Sequence, residues 1–196
     1  MHKWIWGMGL MVSLTACVGI SGDGRLTIGA SVLATDYRIA GTNTYVGCDK
    51  LGGRDAVTHV RATFSASGYL KTIDIGLEGL TDPTYDNLFK ATFQRSRAEF
   101  TQDSRNNIRV IFEANASLGQ FLPTSTVSSQ GIVVTPNLKT KIKEVRVRET
   151  DRVGQGFHAG VVATSDQDSP TGVVYSSNNI AVYSNCTLDR TTADDL

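Results

Sequence analysis

The side chains best suited to catalysis or metal binding in this sequence are its three histidines. His59 and His158 lie in stretches of alternating polar and apolar residues, on the polar parity, opposite Phe64 and Phe157 respectively. A zinc site needs three or four convergent ligands, usually with a local spacing such as His-x-x-x-His, and neither histidine has such neighbours. We therefore expect two solvent-exposed strand histidines and no metal site.

Hydrolase motifs are also missing. A serine nucleophile on a sharp turn reads Gly-x-Ser-x-Gly, and the nearest stretch, FSASG at 64–68, lacks the first glycine. A glycosidase needs two facing carboxylates, and residue type alone offers candidates: Glu78, Glu99, Glu113, Glu144 and Glu149. The sequence thus predicts no catalytic residue and no enzyme, although a serine and a histidine from distant loops could still converge.

Two polar segments could bind ions or partners. Asp166 and Asp168 alternate like the start of a calcium loop, but Gly172 comes one position late and the closing glutamate is missing, so a polar hairpin turn is favoured. Lys139, Lys141 and Lys143 form a basic stripe, continued by arginines at 146, 148 and 152. This stripe is interpreted either as a contact with an acidic partner or lipid headgroups, or as protection of an edge strand.

The whole chain is electrically balanced, with 19 basic and 19 acidic side chains. Such a balance gives no electrostatic reason to expect nucleic acid as a partner. The N-terminus is different in character: His2 and Lys3 precede an uncharged apolar stretch at residues 4–14, and small residues follow it. This is the layout of a secretory signal. A membrane-spanning helix is not expected, because the stretch is shorter than the ~20 apolar residues that span a bilayer.

Leu14, Thr15, Ala16 and Cys17 resemble the lipobox of bacterial lipoproteins, in which a leucine and two small residues precede a modified cysteine. The resemblance implies that residues 1–16 are a removed signal peptide, and that Cys17 carries a diacylglycerol on its thiol and an acyl chain on its amino group. Several acyl chains anchor a protein stably in a membrane. Val18 rather than aspartate after the cysteine implies the outer membrane, and no cofactor beyond this covalent lipid is expected.

Residues 17–24 are then a lipidated, glycine-rich tether. With Cys17 assigned to lipid, Cys48 and Cys186 remain as an even pair in an exported chain, which favours a disulfide between them. Closing so long a loop would stabilise the fold by up to about 5 kcal/mol. The alternatives are two free buried thiols or a redox-active pair, although redox pairs usually have the local spacing Cys-x-x-Cys.

The remaining chain consists mainly of short stretches with strand-like alternation. Residues 25–33 open the series. Two later stretches have clear inward faces: Ala56, Val60, Ala62 and Phe64 in the first, and Ile73, Ile75 and Leu77 in the second. Residues 97–102 and 108–114 flank the polar DSRNN and predict a hairpin. Two or three closing strands follow between residues 157 and 186.

Two stretches are ambiguous. Residues 81–94 fit a helix that starts at Asp82 and Pro83, but they alternate like a strand after Leu88, which we favour slightly. In residues 137–150 the apolar parity changes between Ile142 and Val145. The change indicates either a β-bulge near Glu144 or two strands that meet at a bend.

Together these patterns predict an all-β fold, an antiparallel β-sandwich over residues 25–188, with a loose C-terminal tail at 189–196. The sandwich is expected to be immunoglobulin-like in layout, and a barrel is the alternative. The immunoglobulin signature is missing, because both tryptophans, Trp4 and Trp6, precede the first core cysteine.

The leading functional hypothesis combines this fold with the predicted address. We expect an outer-membrane lipoprotein whose β-sandwich binds other envelope proteins, as an accessory or structural subunit of an envelope or surface assembly. An adhesive or glycan-binding surface lipoprotein is the second hypothesis, and a hydrolase with a nonlocal site is the third. Fold alone does not decide among them.

Overall fold

The computed structural model describes residues 25–81, 89–115, 119, 121–123, 133–134, 139–166 and 169–196. These residues form β-strands and two short 3-10 helices, Arg95–Arg97 and Glu149–Asp151, without any α-helix. The predicted all-β class is confirmed. The predicted signal peptide and the tether with Cys17 lie outside the described residues. No helix among the described residues is long and apolar enough to cross a membrane.

In chain order the strands are β1 (Thr27–Ile28), β2 (Val32–Thr35), β3 (Tyr37–Ile39), β4 (Tyr45–Cys48), β5 (Lys50–Leu51), β6 (Arg54–Asp55), β7 (His59–Ser67), β8 (Thr72–Gly79), β9 (Phe89–Gln94), β10 (Thr101–Gln102), β11 (Asn107–Glu113), β12 (Val133–Val134), β13 (Lys141–Arg146), β14 (Arg152–Thr164), β15 (Val174–Tyr175), β16 (Ile180–Tyr183) and β17 (Thr187–Asp195).

The first sheet is built around β7. Strand β11 pairs with one edge of β7, while β1 and β2 pair with the other edge, and β10 and β12 extend the sheet beyond β11. All of these pairs are antiparallel. The predicted alternation in β7 is confirmed, because Val60, Ala62 and Phe64 are buried while the intervening residues are more exposed.

The second sheet has the order β17-β13-β3-β4-β16-β14-β8-β9, with β15 paired to β14. Two of its pairs, β3 with β13 and β4 with β16, are parallel, and the others are antiparallel. Ile73, Ile75 and Leu77 of β8 are buried as predicted. Strands β5 and β6 form a separate short hairpin.

The two larger sheets pack face to face around one main core, which confirms the sandwich. Its fully buried side chains come from β7 and β11 on one side and from β8, β9, β14 and β16 on the other; they include Phe112, Phe93, Phe157, Ile75 and Val182. Face-to-face packing of two sheets, whose inward side chains interdigitate, gives this kind of core. An immunoglobulin-like layout is not confirmed.

The predicted disulfide is present. Cys48 at the end of β4 and Cys186 just before β17 are bonded, with their Cα atoms 5.9 Å apart. Both cysteines are fully buried in a second apolar cluster with Tyr37, Val145 and Tyr183. The bond therefore joins the end of β4 to the residue that precedes the last strand.

The expected loose tail at 189–196 is wrong. Residues 187–195 form β17, which pairs with β13, and Leu196 is buried against Ala34 and Ile142. Buried Glu144 on β13 contributes a further tie, because its carboxylate is 2.7 Å from Arg190 Nε on β17. Backbone pairing and this ion pair hold an edge strand whose own side chains are mostly exposed.

The structure also tests the predicted hairpin and the two ambiguous stretches, as far as they lie within the described residues. The hairpin of β10 and β11 is confirmed, and Asp103 accepts hydrogen bonds from the backbone of Arg105 and Asn107 within its loop. Strand β9 confirms strand character from residue 89, whereas 82–88 lie outside the described residues. In β13 the predicted irregularity near Glu144 is present in the pairing with β17, but the extra residues lie on β17. It does not restore one inward face, because Ile142 and Val145 are buried in two separate clusters.

Candidate functional site

A buried ionic cluster lies where the chain passes between sheets. Asp36 is the single residue between β2 of the first sheet and β3 of the second. Its carboxylate is fully buried and accepts a hydrogen bond from the His59 backbone N–H at 3.0 Å. His59 Nδ1 lies 2.9 Å away and Lys143 Nζ 3.3 Å away. One aspartate therefore ties β7 to β13 across the corner.

The His59 ring lies between two carboxylates, since its Nε2 is 3.6 Å from Glu113 Oε1. Burial by itself lowers the pKa of His59, but the hydrogen bond and charge of Asp36, together with Glu113, outweigh it and raise the pKa above its usual value. An Asp–His pair is also part of the serine-hydrolase triad. Here the far nitrogen faces a carboxylate, so the cluster is suited to joining strands.

The expectation that both histidines are solvent-exposed is wrong. Only 16% of the His59 side chain and 22% of the His158 side chain are exposed. The polar parity was correct, but the His59 ring lies between Asp36 and Glu113, and the His158 ring is stacked on Tyr175 beside Glu78. The sequence VLATDYRI at 32–39 contained a signal for the buried ionic cluster around Asp36, because an acidic residue within an apolar stretch needs a buried partner.

The basic stripe is partly engaged within the molecule. Lys143 reaches Asp36 and lies 4.9 Å above the Tyr37 ring centroid. Lys141 Nζ is 2.8 Å from Asp195 Oδ1, while Lys139 is exposed. Because β13 lies between β17 and β3, it is not an edge strand, and the interpretation of edge protection is wrong. A partner contact at Lys139, Lys141 and Lys143 stays a prediction.

A second surface cluster, here called the tyrosine patch, consists of Tyr175, His158 and Glu78. The rings of Tyr175 and His158 are stacked, with centroids 4.7 Å apart and planes inclined by 16°. The Glu78 carboxylate lies 3.3 Å from His158 Nε2 and accepts a hydrogen bond from the Tyr175 hydroxyl at 3.4 Å. Tyr175 remains 45% exposed, whereas the Glu78 side chain is 20% exposed and each of its oxygens has one of these partners.

A cleft opens along one side of the sandwich, and the two sheets are joined at its closed end. The Ser177 backbone N–H donates to Ser31 O at 2.8 Å. The Asn178 side-chain amide pairs with both backbone groups of Leu33, at 2.8 and 2.9 Å, as a strand would. The segment that follows β15 therefore closes the outer edge of β2.

Near this junction lies a partly open cavity of about 810 Å³. We call it the edge cleft; its walls are residues 25–28, which contain β1, and residues 169–174, which lead into β15. Arg25 is the charged side chain among its described lining residues. A cavity of this size is within the range of about 300–1,000 Å³ typical of binding pockets.

Both walls present strand edges. The Gly29 backbone N–H bonds to Ser65 O, so in the antiparallel alternation the N–H and C=O of Ile28 point away from β7. The Ser176 N–H bonds to Ala159 O, so the backbone groups of Val173 and Tyr175 point away from β14 by the same rule. Sequence reasoning missed the edge cleft, because its walls are far apart in the chain.

Metal binding finds no support among the described residues, where no group of three or more His, Cys, Asp or Glu side chains could hold an ion. Asp166, in the calcium-like stretch, pairs with Lys71, while Asp168 lies outside the described residues.

Together the sheets and the edge cleft define a class of protein, an all-β sandwich that is open along one side. The chain matches no protein-family model, and no curated protein or solved structure is significantly similar to it.

Proposed function

We propose that this chain is an outer-membrane lipoprotein, anchored through lipid on Cys17, whose β-sandwich binds another envelope protein as an accessory or structural subunit. The edge cleft is the observation that carries the proposal. Free strand edges tend to pair with another chain, and adding a strand to an exposed edge is a common mode of protein recognition. The buried Cys48–Cys186 disulfide supports an oxidising compartment outside the cytosol.

The anchor is tested by mass spectrometry of the protein from its bacterial host. The expected mature chain begins at Cys17 and carries diacylglycerol and an N-linked acyl chain. Cys17→Ser is expected to release the protein from membranes, whereas the matched variant Ser13→Ala should stay membrane-bound. A wild-type chain that still starts at Met1, or an unmodified thiol at position 17, would contradict the anchor.

The partner is tested by crosslinking and pull-down of the native lipidated protein. We expect a stoichiometric complex with an envelope protein. The basic stripe is tested alongside by Lys139→Glu, because Lys141 pairs with Asp195 and Lys143 with Asp36 within the molecule. Loss of the complex in this variant would identify the stripe as a contact. A protein that is monomeric and unaccompanied in its native membrane would contradict the proposal.

The tyrosine patch favours a second candidate function, glycan binding at the cell surface. Sugars stack on exposed aromatic rings and donate hydrogen bonds to carboxylates. Tyr175 is an exposed ring, and the partly exposed Glu78 carboxylate lies beside it. Tyr175→Ala should abolish binding of the isolated domain to glycans on an array. Tyr69→Ala is the matched control, because Tyr69 is 64% exposed elsewhere on the surface. Equal binding by both variants would remove this candidate.

A further inference from the structure

The edge cleft differs from an ordinary ligand pocket in what its walls offer. Its lining includes the small polar residues Thr27, Ser169 and Thr171, and its apolar residues come from both walls. By the pairing of the described residues, the backbone groups of Ile28 on one wall and of Val173 on the other point away from their own sheets. Such walls recognise the repeating N–H and C=O groups of an extended chain better than the irregular shape of a small molecule.

The charge and side chains of the edge cleft restrict the occupant further. Arg25 brings a positive charge to one wall, and a guanidinium binds a carboxylate through two parallel hydrogen bonds. Ile28 is partly buried beside the main core, and Val173 is 56% exposed. Because alternate side chains of a strand point to opposite faces, a segment with apolar residues at every second position would cover both.

We propose that the edge cleft binds one extended segment of the partner protein, which adds a strand at the free edges of β1 and β15 and places a carboxylate beside Arg25. This inference rests on the proposed function, since it names the surface through which the protein binds its partner. The added strand continues the closure that Ser177 and Asn178 begin at Ser31 and Leu33.

The experiment places a photo-crosslinking amino acid at one of three exposed positions of the full-length lipidated protein in its host. Val173 lies in the edge cleft, Leu188 lies on β17 at the free edge of the second sheet, and Phe121 is a control at 47% exposure. We expect an adduct with another envelope protein from position 173 alone. Sequencing the crosslinked peptide should reveal alternating apolar residues with an aspartate or glutamate among them.

Two pairs of variants test the mode of binding. Val173→Pro removes the outward N–H, because proline has none, and should reduce the yield of the native complex at least tenfold; Val173→Thr keeps the N–H and should leave it unchanged. Arg25→Glu should reduce the yield similarly, while Arg25→Lys should reduce it less. Circular dichroism and the thermal midpoint show whether each variant is folded. Equal complex yields for folded Val173→Pro and Val173→Thr proteins would overturn strand addition.

The outcomes separate the two proposals. Adducts from position 188 and none from 173 would overturn the cleft assignment while the proposed partner-binding function stands. An adduct from 173 to a second copy of this chain, or to another part of the same chain, would also overturn the assignment to a partner protein. No adduct at any position, together with no complex in the pull-down, would contradict the proposed function itself.

Discussion

Asp36 shows how one residue determines the path of the chain. As the only residue between β2 and β3, it lies where the chain changes sheet, and its fully buried carboxylate contacts His59 of β7 and Lys143 of β13. A buried charge is tolerated only when partners compensate it, and removal of one partner is strongly destabilising. The corner therefore depends on a charge pattern as well as on apolar packing.

His59→Gln is expected to alter the pH dependence of stability. The folded-state pKa of His59 is raised by Asp36 and Glu113 against the opposing effect of burial. Its contribution is therefore fully present below the unfolded pKa of about 6.5 and is lost as pH rises through the folded pKa. At pH 6 the variant should be less stable by about 1–3 kcal/mol, and the difference should shrink towards pH 9.

Urea unfolding of both proteins across this pH range measures the effect. Burial raises the pKa of Asp49 to about 6, although its hydrogen bond from Leu122 and the charge of Lys50 oppose the shift. Asp49 therefore also makes the protein less stable as pH rises. It does so in both proteins, so the difference between them cancels it. His158→Gln is the control, expected to cost less than about 1 kcal/mol because its partner Glu78 is partly exposed, whereas Asp36 is fully buried. A His59→Gln difference that is constant with pH would contradict the assignment.

At the scale of the elements, strand β14 contains one position at which the backbone restricts the residue type. Its pairing with β16 shifts register between Val153 and Phe157, and Gly156 within this irregular stretch has φ of 82°. A Cβ atom at Gly156 would lie 2.0 Å from the carbonyl oxygen of Ile180. Backbone atoms cannot rotate away as a side chain can, so only glycine fits there.

Gly156→Ala should therefore destabilise the protein by about 3 kcal/mol or more. Gly41→Ala is the matched control, because Gly41 also has a positive φ, 73°, but no atom lies within 4 Å of an added Cβ. The control should lose about 1–2 kcal/mol from backbone strain alone. Thermal unfolding compares the two variants, and similar losses would show that the close approach to Ile180 is not the cause.

The elements also show which features a linear pattern can predict. Alternation identified β7 and β8, because each buries one face against the main core. It failed for β17, whose polar side chains are exposed and whose order comes from pairing with β13. It also failed for β13, where Ile142 and Val145 are buried on opposite faces. One-sided burial leaves a period of two in the sequence, and neither edge pairing nor two-sided burial does.

Contacts between distant parts of the chain account for what was missed at the candidate sites. The sequence placed His59 on the correct parity, but its partner Asp36 belongs to another strand at a sheet corner. Similarly, nothing in residues 25–28 indicates that residues 169–174 form the opposite wall of a cleft. The cysteine pair was predictable, because chemistry and compartment restrict which cysteines can bond.

At the scale of the whole molecule, the Cys48–Cys186 disulfide joins residues 138 apart in sequence. It connects the end of β4 to the chain entering β17, beside the backbone hydrogen bond from Cys186 N to Lys50 O at 2.8 Å. A crosslink over so long a loop restricts the unfolded chain strongly. The last strand, which buries few apolar side chains of its own, is thereby held close to the second apolar cluster.

Replacing both cysteines, Cys48→Ala with Cys186→Ala, should lower the free energy of unfolding by about 2–5 kcal/mol. Urea unfolding should show this loss as a lower midpoint. In the folded variant β17 should remain paired with β13. In the wild-type protein both cysteines are fully buried, so a thiol reductant should leave the bond intact in native buffer and cleave it only when urea unfolds the chain. Rapid reduction of the native protein would show that the β17 end of the second sheet opens independently of the main core.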